Sequence, residues 1–309
     1  AAQIETMAKA TMVVLDKTGT ITQGRPEVVY ATIHTPFDTG ALHTLVSSSK
    51  HPISRGVMEY LERTEEAIES GTIEEARVIP ARGMVGRSNG VMFAGGNALL
   101  MQELGIPVDS VSDKSLFYYA LDNRLVATYE LRDLPKEKAY ESIDSLKKLN
   151  LRVVMLTGDH EAAAMRVAKE VGIEEVYAHL TPEGKAAFID KAHAQGHIVV
   201  MAGDGVNDLL ALAASDIAIA MGNGSDIAIE VSDVVLMNDS LTSLAEAFSI
   251  SRKTYGLIKQ NLGISLVYNS ITIPLAMMGY VIPLLAAISM SFSSLLVVGN
   301  SMRVRWMYK

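Results

Sequence analysis

Residues 11–26, TMVVLDKTGTITQGRP, decide the fold. An apolar, β-branched run ends in Asp16, and Lys17, Thr18, Gly19 and Thr20 follow before the pattern dissolves into turn residues. A short, continuous apolar run suits a parallel strand covered on both faces. Similar runs recur as RVVMLT (152–157), HIVVMA (197–202) and DIAIAM (216–221), with VVLM (234–237) as an edge candidate. Amphipathic stretches at 136–149, 161–171, 183–195 and 239–250 alternate with them. Thr181-Pro182-Glu183 opens the third with a capping residue and a proline suited to the first helical turn. Such alternation predicts a doubly wound α/β sheet. Roughly 135 residues separate the first strand from the next, too many for one crossover. Residues 24–130 are therefore expected to form an inserted α+β domain, with strand signals at 77–79, 91–94 and 125–131.

Composition narrows the function. The 309 residues carry 35 acidic and 27 basic side chains, a net charge of −8, with no basic stripe to neutralise phosphates, so no nucleic-acid partner is expected. The chain has no cysteine, which excludes disulfides, thiol catalysis and thiolate metal sites within it. Its first residues lack the basic-then-apolar pattern of a signal peptide, and with no initiator Met the chain reads as a fragment. Residues 261–302 contain no Asp, Glu, Lys or Arg, enough for two spans of about 20 residues, here placed at about 260–280 and 282–302. Arg252, Lys253 and Lys259 before this run, and Arg303, Arg305 and Lys309 after it, favour a hairpin with both ends on the cytoplasmic side. A pair of buried core helices is the other reading of the same run.

In an open parallel sheet, ligands gather at the carboxyl ends of the strands. Three such ends carry Asp or Thr beside Gly: LDKTGT, LTGDH and MAGDGVND; Lys185 in TPEGKAAF opens a helix nearby. Carboxylates, a hydroxyl and an ammonium on one rim suit phosphoryl transfer. Asp16 would attack phosphorus, Asp204 and Asp208 would hold Mg²⁺, Lys185 would offset charge, and Thr157 would donate to a phosphoryl oxygen. Gly19 and Gly158 would let backbone amides approach the phosphate. Each piece alone also fits an ordinary turn or cap; order and spacing carry the reading.

DKTGTIT, TGD, TPEGK and GDGVND together resemble the motifs of P-type ATPases, built on the haloacid-dehalogenase-like fold, and the similarity runs across nearly the whole chain. The resemblance implies a phosphorylation domain at 1–23 and 131–250, a nucleotide-binding domain at 24–130, and a membrane segment with two transmembrane helices at 251–309. It implies ATP and Mg²⁺ as cofactors, Lys17 and Thr18 in the catalytic loop with the Thr18 carbonyl also on Mg²⁺, and Gly158-Asp159 at the nucleotide. Soluble phosphatases of the superfamily usually carry a second Asp two residues after the nucleophile. Thr18 stands there, so the phosphoenzyme is expected to be long-lived.

His51-Pro52 in the inserted domain resembles the nucleotide-binding signature of the heavy-metal-transporting P-type ATPases, which puts Gly83 and Asn97 in the same pocket. Three positions depart from that pattern: Val46 where a Glu is common, Ala81-Arg82-Gly83 where Gly-x-Gly is usual, and Leu209-Leu210 where Ala-Pro follows the second Asp. Tyr268-Asn269 in the first span, and Met290, Ser293 and Ser294 in the second, resemble the last two spans of copper(I) pumps, Met290 offering a soft thioether. The Lys and Asp that zinc and cadmium pumps place there are absent. Ser and Asn as interhelical glue is the structural alternative. The resemblance thus implies ATP-driven Cu⁺ transport in a bacterial inner or plasma membrane, multi-pass, with cytoplasmic soluble domains and a copper chaperone as a further partner. It also implies that the actuator domain, six further helices and a Cys-Pro-Cys span lie outside this sequence. A membrane-tethered phosphatase and a non-catalytic nucleotide-binding remnant stand as rival readings.

Overall fold

The computed structural model describes residues 2–64, 71, 73–109, 115–222, 224–280 and 282–307. The chain enters through α1 (Ala2–Lys9) and β1 (Met12–Asp16), turns through Lys17–Ile21 and leaves along β2 (Thr22–Ile33). It then builds α2 (Thr39–Ser47), α3 (Pro52–Thr64), β3 (Glu74–Ile79), β4 (Gly83–Ser88), β5 (Val91–Gly96), α4 (Ala98–Glu103), β6 (Ser115–Leu121) and β7 (Arg124–Pro135). The return passage alternates: α5 (Ala139–Lys148), β8 (Arg152–Leu156), α6 (Glu161–Val171), β9 (Glu175–Tyr177), α7 (Pro182–Ala194), β10 (Val199–Gly203), α8 (Leu209–Ala214), β11 (Ile217–Met221), α9 (Asp226–Val231) and β12 (Val234–Leu236). Helices α10 (Leu241–Met277), α11 (Pro283–Met302) and α12 (Val304–Met307) follow.

Among the described residues, six parallel strands form one sheet in the order β12-β11-β10-β1-β8-β9. All five residues of β1 are buried. Val13 and Leu15 face a core with Ile143, Val167 and Phe248, while Met12 and Val14 face the opposite core with Ile189 and Leu212. Burial on both faces is what a run without polar alternation requires. The strand order diverges around β1, which lies between β10 and β8, so Asp16 emerges beside the switch point of the sheet.

The second sheet is antiparallel, ordered β2-β7-β6-β5-β4-β3. Along β6 the pleat alternates: Phe117 and Tyr119 pack with Leu42, Leu45 and Val57 from α2 and α3, and Tyr118 and Ala120 pack with Leu100 and Met101 from α4. The paired strands β2 and β7 run through residues 24 and 131, where the sequence suggested borders, so a two-stranded ribbon joins the sheets.

Two expected boundaries move. Helix α5 begins at Ala139 rather than 136, because Pro135 ends β7 and Lys138 takes a left-handed φ of 56°. The expected helix at 239–250 and the first expected span are one 37-residue helix, α10, with no break between its soluble and apolar parts. Among the described residues one helix, Pro283–Trp306, is long and apolar enough to cross a membrane, and none of its apolar window is buried. The apolar half of α10 exposes Leu262, Leu266, Val267 and Ile271, but Gln260, Asn261 and Asn269 dilute it. Asn261 Nδ2 donates to Ser301 Oγ at 2.7 Å and its Oδ1 accepts from Asn300 Nδ2 at 2.8 Å, joining α10 to α11. The short elements α1, α8, α9 and β9 had no reading in the sequence.

Candidate active site

Asp16 ends β1 with its side chain buried. Its carboxylate accepts a hydrogen bond from Lys185 Nζ at 2.5 Å, and the same ammonium donates to Asp208 at 2.8 Å. Lys185 stands in the first turn of α7, whose start is set by Pro182 and by Thr181 Oγ1 accepting from Gly184 N at 3.1 Å. Asp204 and Asp208 follow β10, and oxygens of Asp16, Asp204 and Asp208 lie within 4.8 Å of one another. A cavity of about 390 Å³ opens onto this cluster, and Thr18, Thr157, Gly158 and Asp159 also line it.

Glycine makes the close approach possible. Gly19 has φ +75°, and a Cβ there would sit 1.7 Å from Asp204 Oδ2. At Gly203 a Cβ would sit 2.7 Å from Asp208 Oδ2. Thr157 is buried, and its Oγ1 accepts from Asp159 N at 3.1 Å, which leaves its own proton for an acceptor in the cavity. Thr18 is exposed.

Lys17 lies in the loop directly after Asp16, where the sequence reading put it. It does not line the cavity; its buried ammonium pairs with Asp159 at 2.7 Å and ties the loop after β1 to the loop after β8. Asp159, read as a nucleotide contact, has that ion pair as its partner and borders the cavity at its rim. Sequence reasoning also missed Asp133, which accepts from Thr22 Oγ1 at 2.5 Å and Gly24 N at 2.9 Å, and Lys136, which reaches Gly19 O at 2.9 Å. Both come from β7 and the turn after it, more than a hundred residues away from their partners, and only a polar residue beside Pro135 hinted at them.

Burial first, and then the Asp208 charge, push Asp16 up to about 7, although Lys185 pulls it back. Asp204 is raised to about 6 by burial and by Asp208, against the pull of Lys136. Burial pulls Lys185 down, but Asp16 and Asp208 outweigh it and leave its pKa raised. Burial and the neighbouring Asp208 charge thus raise both Asp16 and Asp204 despite the ammonium groups beside them. A hard divalent cation fits this donor set: the oxygens already lie close to the span of about 4 Å between opposite ligands of an octahedral Mg²⁺.

A second cavity, about 650 Å³, lies on the antiparallel sheet and includes His51, Gly83, Met84, Asn97 and Phe117 in its wall. His51 Nδ1 accepts from Ile53 N at 3.3 Å, so the neutral ring carries its proton on Nε2, free to donate. Pro52 opens α3 and is not part of the wall. Asn97 is committed elsewhere: Oδ1 caps α4 at Leu100 N, 3.1 Å, and Nδ2 donates to Ala81 O, 2.9 Å. Gly83 lies against the neighbouring strand, where a Cβ would sit 2.2 Å from Gly95 O. These two residues shape the pocket rather than offer it side-chain groups. Val46, at the position of the expected Glu, is wholly inside the core. Ala81 adopts a left-handed φ of 57°, the conformation a glycine would hold there without strain. Leu209 packs against the core below α7, and Leu210 is exposed.

Of the expected copper ligands, Tyr268 and Ser293 are half-buried, whereas Asn269, Met290 and Ser294 are exposed. Among the described residues no hydrogen bond joins any two of the five; Tyr268 offers its carbonyl to Thr272 Oγ1 at 2.8 Å.

The profile of the haloacid dehalogenase-like hydrolases matches residues 11–216. The chain is 36% identical over 311 residues to the probable copper-importing P-type ATPase A of Enterococcus hirae, covering 97% of this chain and 42% of that protein. It is 36% identical over 317 residues to a copper-exporting P-type ATPase of Staphylococcus haemolyticus, covering 98% of this chain and 39% of that protein. The chain therefore spans about two fifths of the length of these curated relatives. In three dimensions it superposes on a zinc-transporting PIB-type ATPase in an E2.Pi state with a TM-score of 0.83 at 29% identity, covering 98% of this chain and 51% of the other. With buried Asp16 facing Lys185, Asp204 and Asp208 on a parallel sheet, and with the profile spanning two thirds of its length, the chain belongs to the haloacid dehalogenase-like hydrolases and is similar over nearly its whole length to metal-transporting P-type ATPases.

Proposed function

We propose that the chain is the catalytic part and the last two membrane spans of an ATP-driven copper(I) transporter that works through an aspartyl phosphate on Asp16. The observation that carries the reading is the buried cluster of Asp16, Lys185 and Asp208, closed by 2.5 and 2.8 Å hydrogen bonds beneath an open cavity. In this reading a carboxylate oxygen of Asp16 attacks the γ-phosphorus of ATP; the new O–P bond forms as the bond to the bridging oxygen breaks, and ADP leaves with that oxygen. Lys185 holds the attacking carboxylate and offsets charge as it builds, while the Thr157 hydroxyl donates to a phosphoryl oxygen. Asp16, Asp204 and Asp208, with the Thr18 carbonyl, would hold Mg²⁺, which when bound would favour the ionised form of Asp16 and offset charge on the phosphoryl oxygens.

The nucleotide base would lie in the cavity beside His51, with Nε2–H as donor, and the phosphates would reach across to Asp16. Thr18 lacks the acid–base group that speeds hydrolysis, which supports a phosphoenzyme that lasts long enough to move a helix. Residues 1–23 with 131–250, and 24–130, would act as phosphorylation and nucleotide-binding domains. Residues 251–309 would supply a hairpin in a bacterial plasma membrane, with both ends cytoplasmic. For the ion, Met290 is a soft ligand and the apolar segment carries no charge, which favours Cu⁺ at Met290, Tyr268, Asn269, Ser293 and Ser294. A copper chaperone would deliver it to the complete transporter. The test is phosphorylation with γ-labelled ATP and Mg²⁺: acid-stable, hydroxylamine-sensitive label is expected on the native chain and none on Asp16→Asn. Equal label on both ends the proposal.

A further inference from the structure

Lys136 is a buried ammonium that the chemistry above does not use. It sits in the turn between β7 and α5, 6% exposed, and does not line the phosphate cavity. Its main chain and side chain both hold the loop after the nucleophile: Lys136 N donates to Ile21 O at 2.8 Å, and Nζ donates to Gly19 O at 2.9 Å. Gly19 is the residue whose Cα faces the Asp204 carboxylate so closely that no side chain fits. The second partner of Nζ is Asp239 Oδ1 at 2.7 Å. Asp239 immediately precedes Ser240, the N-cap of α10, and takes a left-handed φ of 51°, while its N–H donates to Leu236 O at the end of β12. One ammonium therefore touches the loop that shapes the Asp16–Asp204 pair and the residue from which a 37-residue helix departs.

Burying a charge is costly, and a neutral donor could have held Gly19 O. The ammonium adds a charged link to Asp239, whose direction is set by where Gly19 O lies. A loop that shifts as Asp16 gains or loses charge would pull Nζ, and Nζ would pull the start of α10. Helix α10 continues without a break from its first turn into its apolar half.

We propose that Lys136 is a positioning residue that sets the place of Asp204 through Gly19 and couples that place to the first turn of α10 through Asp239. The proposal rests on the reading of Asp16, Asp204 and Asp208 as the Mg²⁺-dependent phosphoryl site.

The test uses the full chain and the double variant Lys136→Met/Asp239→Asn, which removes both charges together and leaves neither buried alone. Two quantities are read: Mg²⁺ affinity by titration calorimetry without nucleotide, and amide hydrogen exchange at residues 241–244 with and without Mg²⁺ and beryllofluoride, a phosphoryl mimic. Mg²⁺ affinity is expected to fall about tenfold, with loss of the exchange response, while binding of a non-hydrolysable ATP analogue stays within about twofold. The double substitution leaves the net charge unchanged and removes two opposed influences on Asp204, the pull of Lys136 and the repulsion of Asp239. Mg²⁺ affinity within about twofold of native, or an intact exchange response, overturns the proposal. Should the double variant fail to fold, Asp239→Asn alone decides: Mg²⁺ affinity near native with an exchange response reduced about threefold supports the link, and an undiminished response refutes it. If the native chain takes up no beryllofluoride, the phosphoryl reading of Asp16 falls, and the Mg²⁺ comparison still decides the part played by Lys136.

Discussion

Gly19→Ala isolates the geometry of the site from its chemistry, because no titratable group is added or removed. Two costs add. The backbone at φ +75° strains any residue with a Cβ by about 1–2 kcal/mol. The new Cβ would then lie 1.7 Å from Asp204 Oδ2 and 2.4 Å from its Cγ, so the carboxylate must retreat by about 1.5 Å to restore ordinary contact. A misplacement of about 1 Å at a reacting centre costs about a hundredfold in rate. The variant is therefore expected to fold, with a stability loss of about 2 kcal/mol or more, and to lose at least about a hundredfold in Mg²⁺-dependent phosphoenzyme formation. Nucleotide binding, measured by calorimetry, should hold near native, since the His51 cavity shares no lining residue with the Asp16 cavity. Phosphoenzyme formation within about threefold of native would refute the claim that Asp204 is held in place by the missing side chain.

Three further outcomes follow from the same geometry. Thr18→Asp puts a proton-transfer group on the cavity wall, and chase experiments should show phosphoenzyme decay faster by about 10²-fold; an unchanged lifetime would remove the explanation given for Thr18. Ala81→Gly relieves the left-handed strain at φ 57° and should raise the melting temperature by about 2 °C; an unchanged melting temperature would deny the strain. The pH dependence has an unusual sign: Asp16 at about 7 and Asp204 at about 6 lie above the ordinary aspartate value of 3.8, so between roughly pH 4 and 7 the native state binds more protons than the unfolded chain. Stability without a cation should fall as pH rises through that window. Mg²⁺, which needs both carboxylates ionised, should stabilise weakly near pH 5 and strongly near pH 8; equal thermal shifts at the two would contradict the raised values.

The parts of the fold that could be read in advance are those whose physics is local. The runs that became β1, β8, β10 and β11 are continuous in apolar character because helices cover both faces, and that demand is written residue by residue. The carboxylates could be read because they cluster in short segments at the ends of β1 and β10 that also carry Gly19 and Gly203, where the close approach to Asp204 and Asp208 leaves no room for a side chain. What could not be read depends on partners far along the chain. Lys17 meets Asp159, and Lys136 meets Gly19 and Asp239, across more than a hundred residues, and nothing in the neighbourhood of any of them specifies the other. Asn97 had the right residue type and position for a ligand, but the helix it begins claims its oxygen and the turn at Ala81 claims its amide. The helix 239–250 and the span after it were separated because their composition changes, whereas an α-helix needs only uninterrupted backbone bonding to pass from one setting to another.

That continuity bears on how a chemical change at Asp16 becomes movement. A phosphate on a carboxylate alters charge within a few ångströms, and a rigid element is needed to carry the effect further. Three helices start near the cluster: α7, which brings Lys185; α8, which begins directly after Asp208; and α10, which begins two residues after Asp239, the partner of Lys136, with Ser240 as its cap. Helix α7 ends at Ala194 in the soluble layer, and α10 runs to Met277 along residues with exposed apolar side chains. Of these, α10 is the one that continues into the apolar segment, so under the proposed function a coupling between phosphorylation and ion movement would pass through the Lys136–Asp239 ion pair into α10.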